Sequence, residues 1–161
     1  MIIAENLVIV GGEKRATYRC LIPQIKALLG GETDTVANLA NVSAALKEAF
    51  GFLWVGFYLV KENELVLGPF QGPIACTRIQ FGRGVCGVSW AEKKTLIIDN
   101  VDEYPGHITC SSLSKSEIVV PMIKKNRVVG VLDVDSSDLA TFDAIDEQEL
   151  NKLCAWLVTV I

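Results

Sequence analysis

The sequence lacks the basic blocks and long apolar runs that would indicate a nucleic-acid or membrane protein. Its formal net charge is −4, and no run of lysine or arginine exceeds two residues, as in Lys124-Lys125. A nucleic-acid surface needs a row of cations to neutralise phosphates. No apolar run approaches the ~20 residues that span a bilayer, and Glu5 and Asn6 interrupt the apolar N-terminal stretch. We expect a cytoplasmic protein that binds neither nucleic acid nor membrane.

The five cysteines lack the short paired spacings of structural zinc sites. Cys76, Cys86 and Cys110, together with His107, offer four zinc ligands, yet the three thiols are 10 and 24 residues apart in sequence. An odd number of cysteines scattered through core-like segments fits a reducing compartment. We therefore favour redox chemistry over a bound metal, and we expect any disulfide to be transient.

Length and composition indicate one compact domain. The 161 residues, 50% of them hydrophobic, can bury a core but leave little for a second domain, and no internal repeat divides them. Residues 1–161 are therefore predicted as a single domain. Residues 1–12, an apolar stretch ended by Gly11-Gly12, are predicted as either an edge strand or a loosely docked arm.

Hydrophobic spacing predicts helices near both ends of the chain and strands between them. The predicted helices cover 18–29, 35–50 and 143–160, and residues 84–93 are predicted as a short helix or a turn. The predicted strands cover 52–60, 65–67, 74–79, 95–98, 117–123 and 128–135. Residues 67–72 are predicted as a loop, and a long irregular stretch before residue 117 as a lid or binding loop. Strands bracketed by helices, without strict βαβ alternation, predict an α+β fold with a mainly antiparallel sheet.

The stretch from Pro105 to Pro121 places a thiol near a carboxylate. Cys110 lies in a loop rich in serine, seven residues before Glu117, which opens an apolar strand. This arrangement suits sulfur chemistry, although a polar surface loop with a chance cysteine has the same composition. His107 could serve as a base for Cys110 or belong only to a turn.

Two further pairs share a strand face by the period of two. Trp54 and Tyr58 are either core aromatics or one side of a ligand pocket. Asp133 and Asp135 lie on an otherwise apolar strand, which is costly unless their face is wet or meets a cation. A metal ion and the ammonium group of a small amine ligand both fit this pair.

The segment Gly82 to Gly87 matches the pattern G-x-G-x-x-G. A dinucleotide site would need this pattern to follow an early strand and to open a long helix in a βαβ unit, whereas the segment is central and its helix has at most ~10 residues. The glycines more plausibly bring backbone close to a pocket around Cys86.

Taken together, the motifs resemble those of the free methionine-(R)-sulfoxide reductases, which are GAF-domain enzymes. The resemblance covers about Tyr18 to Leu157, and it is specific because general GAF domains lack three thiols at this spacing. It is carried by the segments 31–33, 37–41, 54–58, 67–72, 75–79, 84–87, 105–108, 116–121 and 130–136.

The resemblance implies a GAF-like fold, with helices on one face of a central antiparallel sheet and a loop-covered pocket on the other. It also implies an oxidoreductase that reduces free L-methionine-(R)-sulfoxide in oxidative stress repair, with thioredoxin as external reductant, no cofactor and a homodimeric assembly. The alternative within this fold is a non-catalytic GAF sensor that binds a small ligand or responds to oxidants.

The resemblance also assigns roles to the three thiols. Cys110 corresponds to the thiol that attacks the sulfoxide sulfur and Cys76 to its partner in a redox-active disulfide, while Cys86 is a third pocket thiol. Family members often carry aspartate directly after the catalytic cysteine, where this chain has Ser111. That difference bears on rate or loop geometry more than on the type of reaction.

The remaining correspondences concern the pocket. Glu117, Asp133 and Asp135 resemble the substrate-binding carboxylates, and Trp54 and Tyr58 resemble its aromatic wall. Glu117 also has the role of the acid that protonates the departing oxygen, since burial beside two aspartates should raise its pKa.

This assignment makes a geometric prediction about one hairpin. Directly opposed residues of an antiparallel pair share a face. A regular hairpin with the two-residue loop Lys125-Asn126 would place Glu117 opposite Val134, away from Asp133 and Asp135. We therefore predict an odd loop or a β-bulge that restores a shared face, with Asn126 in a left-handed conformation.

Overall fold

A computed structural model describes residues 6–161 and contains a six-stranded sheet whose neighbouring strands are all antiparallel. The helices are α1 (Lys14–Leu28), α2 (Thr35–Phe50), α3 (Gly84–Glu92) and α4 (Ala144–Leu157), with a 3-10 turn at Val101–Glu103. The strands are β1 (Trp54–Lys61), β2 (Glu64–Gln71), β3 (Arg78–Gln80), β4 (Leu96–Ile98), β5 (Ser116–Lys124) and β6 (Arg127–Ser136), and their order across the sheet is β3-β2-β1-β6-β5-β4. The predicted α+β architecture with a mainly antiparallel sheet is confirmed.

Helices α1, α2 and α4 cover one face of the sheet. Helix α2 begins where the Asp34 side chain accepts a hydrogen bond from the Ala37 amide, and it ends at Gly51 in a left-handed conformation. Its apolar side packs with those of α1 and α4 on alternate strand residues such as Val55 and Phe57, which are fully buried. This layer is the main hydrophobic core and holds the central strands rigid.

The other face of the sheet carries α3 and the long loops. Trp54 and Tyr58 of β1 pack there with Val85 of α3 and with Val119 and Val131 of the central hairpin. The expectation of helices on one face therefore holds for α1, α2 and α4, while the short α3 lies on the pocket face. This second, smaller core positions the functional site.

Two predicted strand boundaries are wrong, both near β2. Strand β2 continues through residues 67–71, which were expected to be a loop, because a register shift opposite Gly56 and Tyr58 accommodates Gly68 and Pro69. Proline is tolerated at such a bulge because it need not donate to the ladder there. Strand β3, in contrast, is only three residues long, and residues 74–76 run as a loop at the edge of the pocket.

The hairpin of β5 and β6 has the predicted shifted register. Its turn consists of Lys125 and Asn126 alone, and both have positive φ. A bulge next to Met122 gives β6 one more residue than β5 at that point, which shifts the register by one. Beyond the bulge, Glu117 pairs directly with Asp135. The alternative of a bulge is thus confirmed, and so is the left-handed conformation of Asn126.

The N-terminal segment is an arm in the part that the structure describes. Residues 6–12 form no strand, and the Val8 backbone exchanges two 2.8 Å hydrogen bonds with the Gln24 side chain of α1. Residues 1–5 of the predicted arm or edge strand lie outside the described residues. Within 6–161, no helix combines the length and apolar character needed to cross a membrane.

Candidate active site

A cavity opens on the sheet face that carries α3. It is bounded by β1, β5, β6, the first turn of α3 and the two loops that bear Cys76 and Cys110. Its lining includes most of the predicted site residues, namely Trp54, Tyr58, Cys86, Cys110, Glu117, Asp133 and Asp135. The long loop before β5 contributes His107, Ile108, Ser111 and Ser114 to the same lining.

Two thiols are joined at the mouth of the cavity. Cys76 and Cys110, 34 residues apart in sequence, form a disulfide with their Cα atoms 5.6 Å apart. Cys110 is exposed and Cys76 is half-buried. The Cys76 loop is held by Tyr58, whose hydroxyl donates a 2.8 Å hydrogen bond to the Cys76 carbonyl. In this form neither sulfur is free to bind a metal ion.

Three carboxyl groups converge at the base of the cavity. Strand pairing brings Glu117 opposite Asp135, and Asp133 lies on the same face of β6. Glu117 and Asp133 are only 5% and 7% exposed, and within the described residues Glu117 Oε2 and Asp133 Oδ1 have no hydrogen-bond partner. Unpaired buried carboxyl oxygens are costly. This acid cluster (Glu117, Asp133 and Asp135) is therefore suited to receive a cation or a proton.

The same burial changes how readily these acids ionise. Burial, followed by the charges of Asp133 and Asp135, raises the pKa of Glu117 well above its usual range. Burial and the charge of Asp135 likewise raise the pKa of Asp133. The pKa of Asp135 is raised by burial to about 6, against the effect of a 2.5 Å hydrogen bond from the Ser114 hydroxyl. At neutral pH Glu117 can hold a proton while Asp135 is ionised.

Cys86 lies beneath the acid cluster and is not part of a disulfide. Its sulfur and carboxyl oxygens of Glu117 and Asp133 all lie within 4.8 Å of one another, so the three side chains could hold a cation between them. Burial, then the charges of Asp133 and Glu117, raises the pKa of this thiol. A thiol that stays protonated is a poor nucleophile, so the catalytic role of Cys86 stays a prediction.

His107 approaches the acid cluster from the loop side. Its Nε2 lies 3.7 Å from Glu117 Oε2, and burial lowers its pKa. The imidazole is therefore neutral at pH 7 and does not form a charged pair with Glu117. His107 stands three residues before Cys110, and its role as a base for that thiol stays a prediction.

An aromatic wall bounds the opposite side of the cavity. The Trp54 ring stacks on Tyr58 and on Phe70, with centroid distances of 5.9 and 5.2 Å, and Trp54 Nε1 donates to the Pro73 carbonyl. The rings lie close over Gly56, where a Cβ atom would come within 2.4 Å of Phe70 Cβ and 2.5 Å of Trp54 Cη2. A glycine in the middle of a bulky strand is required by this packing.

The G-x-G-x-x-G segment packs α3 against its surroundings. Gly84 has φ +61°, and a Cβ there would lie 2.9 Å from Ile108 Cδ1; a Cβ at Gly87 would lie 2.4 Å from the Gln80 carbonyl oxygen. The glycines therefore permit the close approach of backbone around the Cys86 pocket that the sequence indicated. The strands on either side belong to an antiparallel sheet, so no dinucleotide-binding βαβ unit is formed.

Sequence reasoning missed three contributors to the site. Ser114, one of four serines between Cys110 and Glu117, had no feature that distinguished it from its neighbours. The sequence around Phe70 predicts a loop, whereas the structure places this residue in β2. Gly56 offered a signal, since an isolated glycine in a strand pattern marks a close approach of another chain segment.

Comparisons with known proteins agree with this geometry. A family model described as GAF domain matches residues 33–160. A protein of Dictyostelium discoideum named GAF domain-containing protein A is 62% identical over 151 residues, which cover 93% of this chain and 96% of that protein. The Escherichia coli free methionine-R-sulfoxide reductase is 47% identical over 149 residues, which cover 92% of this chain and 90% of that enzyme.

A solved structure extends the similarity to three dimensions. The X-ray structure of free methionine-R-sulfoxide reductase from Neisseria meningitidis in complex with its substrate has a TM-score of 0.94 and 55% sequence identity, and the match covers 96% of this chain and 93% of that chain. The chain belongs to the free methionine-R-sulfoxide reductase family of GAF-domain proteins.

Proposed function

We propose that the protein reduces free L-methionine-(R)-sulfoxide to methionine through Cys110, with Cys76 as the resolving thiol. The observation that carries the proposal is the Cys76–Cys110 disulfide at the mouth of a cavity whose base holds three clustered carboxyl groups. The disulfide supplies the redox chemistry, and the acids supply recognition and a proton. The substrate and stereochemistry follow the named relatives.

Recognition of a free amino acid follows from the charge of the acid cluster. An α-ammonium group placed between Asp135, which is ionised at neutral pH, and the unpartnered Asp133 Oδ1 would give that oxygen a donor and neutralise buried charge, while Glu117 keeps its proton. A methionine sulfoxide residue within a peptide has an amide nitrogen there and offers no such charge. The sulfoxide end would lie toward Cys110, along the aromatic wall of Trp54 and Tyr58.

The first chemical step is attack by the Cys110 thiolate on the sulfoxide sulfur. The sulfur–oxygen bond breaks, the oxygen passes to Cys110 as a sulfenic acid, and methionine leaves with its sulfur reduced by two electrons. A proton must reach the departing oxygen. Glu117 suits this role because burial and the charges of Asp133 and Asp135 raise its pKa well above its usual range, which favours the protonated form.

The second step forms the disulfide seen in the structure. The Cys76 thiol attacks the Cys110 sulfenic sulfur, and the sulfenic hydroxyl takes a proton and leaves as water. The enzyme then needs two electrons and two protons to return to its dithiol form. Thioredoxin can supply them by thiol–disulfide exchange, since one residue of the bond, Cys110, is exposed.

The cellular setting follows from the same chemistry. A cytoplasmic enzyme that uses no bound cofactor can draw both electrons from a protein dithiol kept reduced there. In this reading it acts in oxidative stress repair as a homodimer, in keeping with its family. The acid cluster is then an ammonium site and not a metal site.

One assay tests the proposal. Purified protein, thioredoxin, thioredoxin reductase and NADPH are incubated with free or peptide-bound methionine sulfoxide, and NADPH oxidation is followed. We expect turnover with the free R epimer and little with the peptide. Binding of the free amino acid without turnover would instead support a non-catalytic GAF sensor and would reject the enzymatic proposal.

A further inference from the structure

The Cys76–Cys110 disulfide is flanked by exposed aliphatic side chains. Ile74, two residues before Cys76, is 89% exposed, and Ile108, two residues before Cys110, is 37% exposed. Both contribute to the mouth of the cavity, and we call this pair the isoleucine rim. Single exposed apolar residues are common, but apolar side chains grouped around a reactive bond are typical of an interaction surface.

The short segments immediately around Cys76 and Cys110 also have no formal charge. Residues 72–77 and 105–113 contain no aspartate, glutamate, lysine or arginine, although 21% of the whole chain is charged. Leu113, 59% exposed, extends the apolar character beyond Cys110. A protein partner can bury such an uncharged surface around the bond it attacks, whereas a small thiol needs only to reach the sulfur.

We propose that the isoleucine rim is the docking surface for the protein dithiol that reduces the enzyme, and that this dithiol attacks Cys110 Sγ. The inference rests on the proposed function, since it concerns regeneration of the same disulfide. Cys110 is the exposed sulfur-bearing residue, while Cys76 is half-buried and its carbonyl is held by the Tyr58 hydroxyl. Access therefore favours Cys110 as the electrophile.

The exchange balances in two steps. The partner's first thiolate forms a bond to Cys110 Sγ, the enzyme disulfide breaks, and its electron pair leaves on Cys76, which then takes a proton. The partner's second thiolate attacks its own sulfur in this mixed disulfide, so that Cys110 leaves as a thiolate and the partner becomes oxidised. The enzyme is thereby reduced at both cysteines.

The docking surface is tested with two reductants and the variant Ile74→Ser. Steady-state reduction of free methionine sulfoxide is measured with subsaturating thioredoxin and separately with dithiothreitol. Because burial of an isoleucine side chain stabilises a complex, we expect the ratio of the thioredoxin-supported rate to the dithiothreitol-supported rate to fall about tenfold or more. Val36→Ser on α2, also an exposed apolar residue at 62% exposure, is the matched control and should leave the ratio unchanged.

The outcomes separate this inference from the proposed function. An unchanged ratio in Ile74→Ser overturns the docking surface while leaving the enzymatic activity in place. A wild-type protein that turns over with neither reductant overturns the proposed function itself. A fall of equal size with both reductants also rejects docking, because it shows damage to the reaction and not to partner contact.

The attacked sulfur is identified by trapping the intermediate. Oxidised enzyme is mixed with thioredoxin that lacks its second cysteine, free thiols are alkylated at once, and peptides are mapped by mass spectrometry. We expect thioredoxin linked to Cys110 and the alkyl group on Cys76. The reverse pattern would show that Cys76 is the electrophile and would overturn this part of the proposal.

Discussion

The hydrogen bond from Ser114 to Asp135 should control the acid limb of the pH profile. Ser114 is buried, and its hydroxyl lies 2.5 Å from Asp135 Oδ1. A hydrogen bond to a charged group contributes ~1.5–3 kcal/mol, and one pKa unit corresponds to ~1.4 kcal/mol. In Ser114→Ala the pKa of Asp135, which burial raises to about 6, should therefore rise further by about 1 to 2.

The sign of the effect follows from which form binds substrate. Ionised Asp135 attracts the ammonium group, so kcat/KM falls as the pH drops through this pKa. Raising the pKa of Asp135 moves the fall in kcat/KM to higher pH. At pH 7 the ionised fraction of Asp135 falls from about nine-tenths to between about one-half and one-tenth. We expect kcat/KM at pH 7 to fall roughly twofold to tenfold and to recover in alkaline solution. The change should appear mainly in KM, because in this proposal Asp135 binds the ammonium group and takes no part in the reacting bonds.

Single-turnover release of methionine from pre-reduced enzyme is the suitable assay, because it avoids the pH dependence of the external reductant. Ser112→Ala, an exposed serine on the same loop, is the matched control, and Ser114→Thr should restore the wild-type profile because it keeps the hydroxyl. A wild-type pH profile in Ser114→Ala, or an activity reduced by the same factor at every pH, would show that the hydrogen bond does not control the ionisation of Asp135.

Three other predictions address the thiols, the acid and the aromatic wall. Cys110→Ser should abolish methionine release. Pre-reduced Cys76→Ser should release about one methionine per enzyme and then stop, because the sulfenic acid forms before the second thiol is needed. Continued cycling of either variant, measured by chromatography of the methionine formed, would contradict the assignment. Glu117→Gln should lower kcat by about 10²- to 10⁴-fold and remove any loss of rate at high pH, and a kcat near the wild-type value would exclude Glu117 as the acid. Gly56→Ala should lower the free energy of unfolding by ~1–3 kcal/mol in urea titrations, because the added methyl group would clash with Phe70 and Trp54, which cannot move freely. Gly11→Ala is the control, because a Cβ there has no atom within 4 Å. Equal stability of the two variants would show that the packing at Gly56 tolerates a side chain.

Much of the architecture was predictable because it depends on interactions between residues that are close together in the sequence. Helix α2 could be placed between the cap at Asp34 and the left-handed Gly51. The period of two correctly put Trp54 and Tyr58 on one face of β1. The thiols and acids that line the cavity were identified from the sequence because chemical function depends on residue type, which the sequence states directly.

Other features depend on contacts between segments far apart in the sequence. Glu117 faces Asp135 only because a bulge next to Met122 shifts the register, and nothing local to the two-residue turn requires that bulge. The bulge lies where β6 passes β1 so closely that a Cβ at Gly130 would be 2.6 Å from the Tyr58 carbonyl oxygen. The sequence therefore allowed either an odd loop or a bulge. The packing of β1, β5 and β6 decided between them.

Contacts between distant segments also explain the wrong bounds of β2 and β3 and the unpredicted role of Ser114. By itself Gly68-Pro69 predicts a loop, but pairing with β1 extends β2 through it, and the loop at residues 74–76 is held by Tyr58 and Cys110 instead of by a neighbouring strand. Ser114 has its role only because Asp135 lies 2.5 Å away. The sequence by itself determined the element types, the family and the reactive groups, since these depend on residue type and local periodicity. Tertiary structure alone decided the strand register, the ends of β2 and β3 and the partner of each acid, because these follow from packing energies between residues that are distant in the chain.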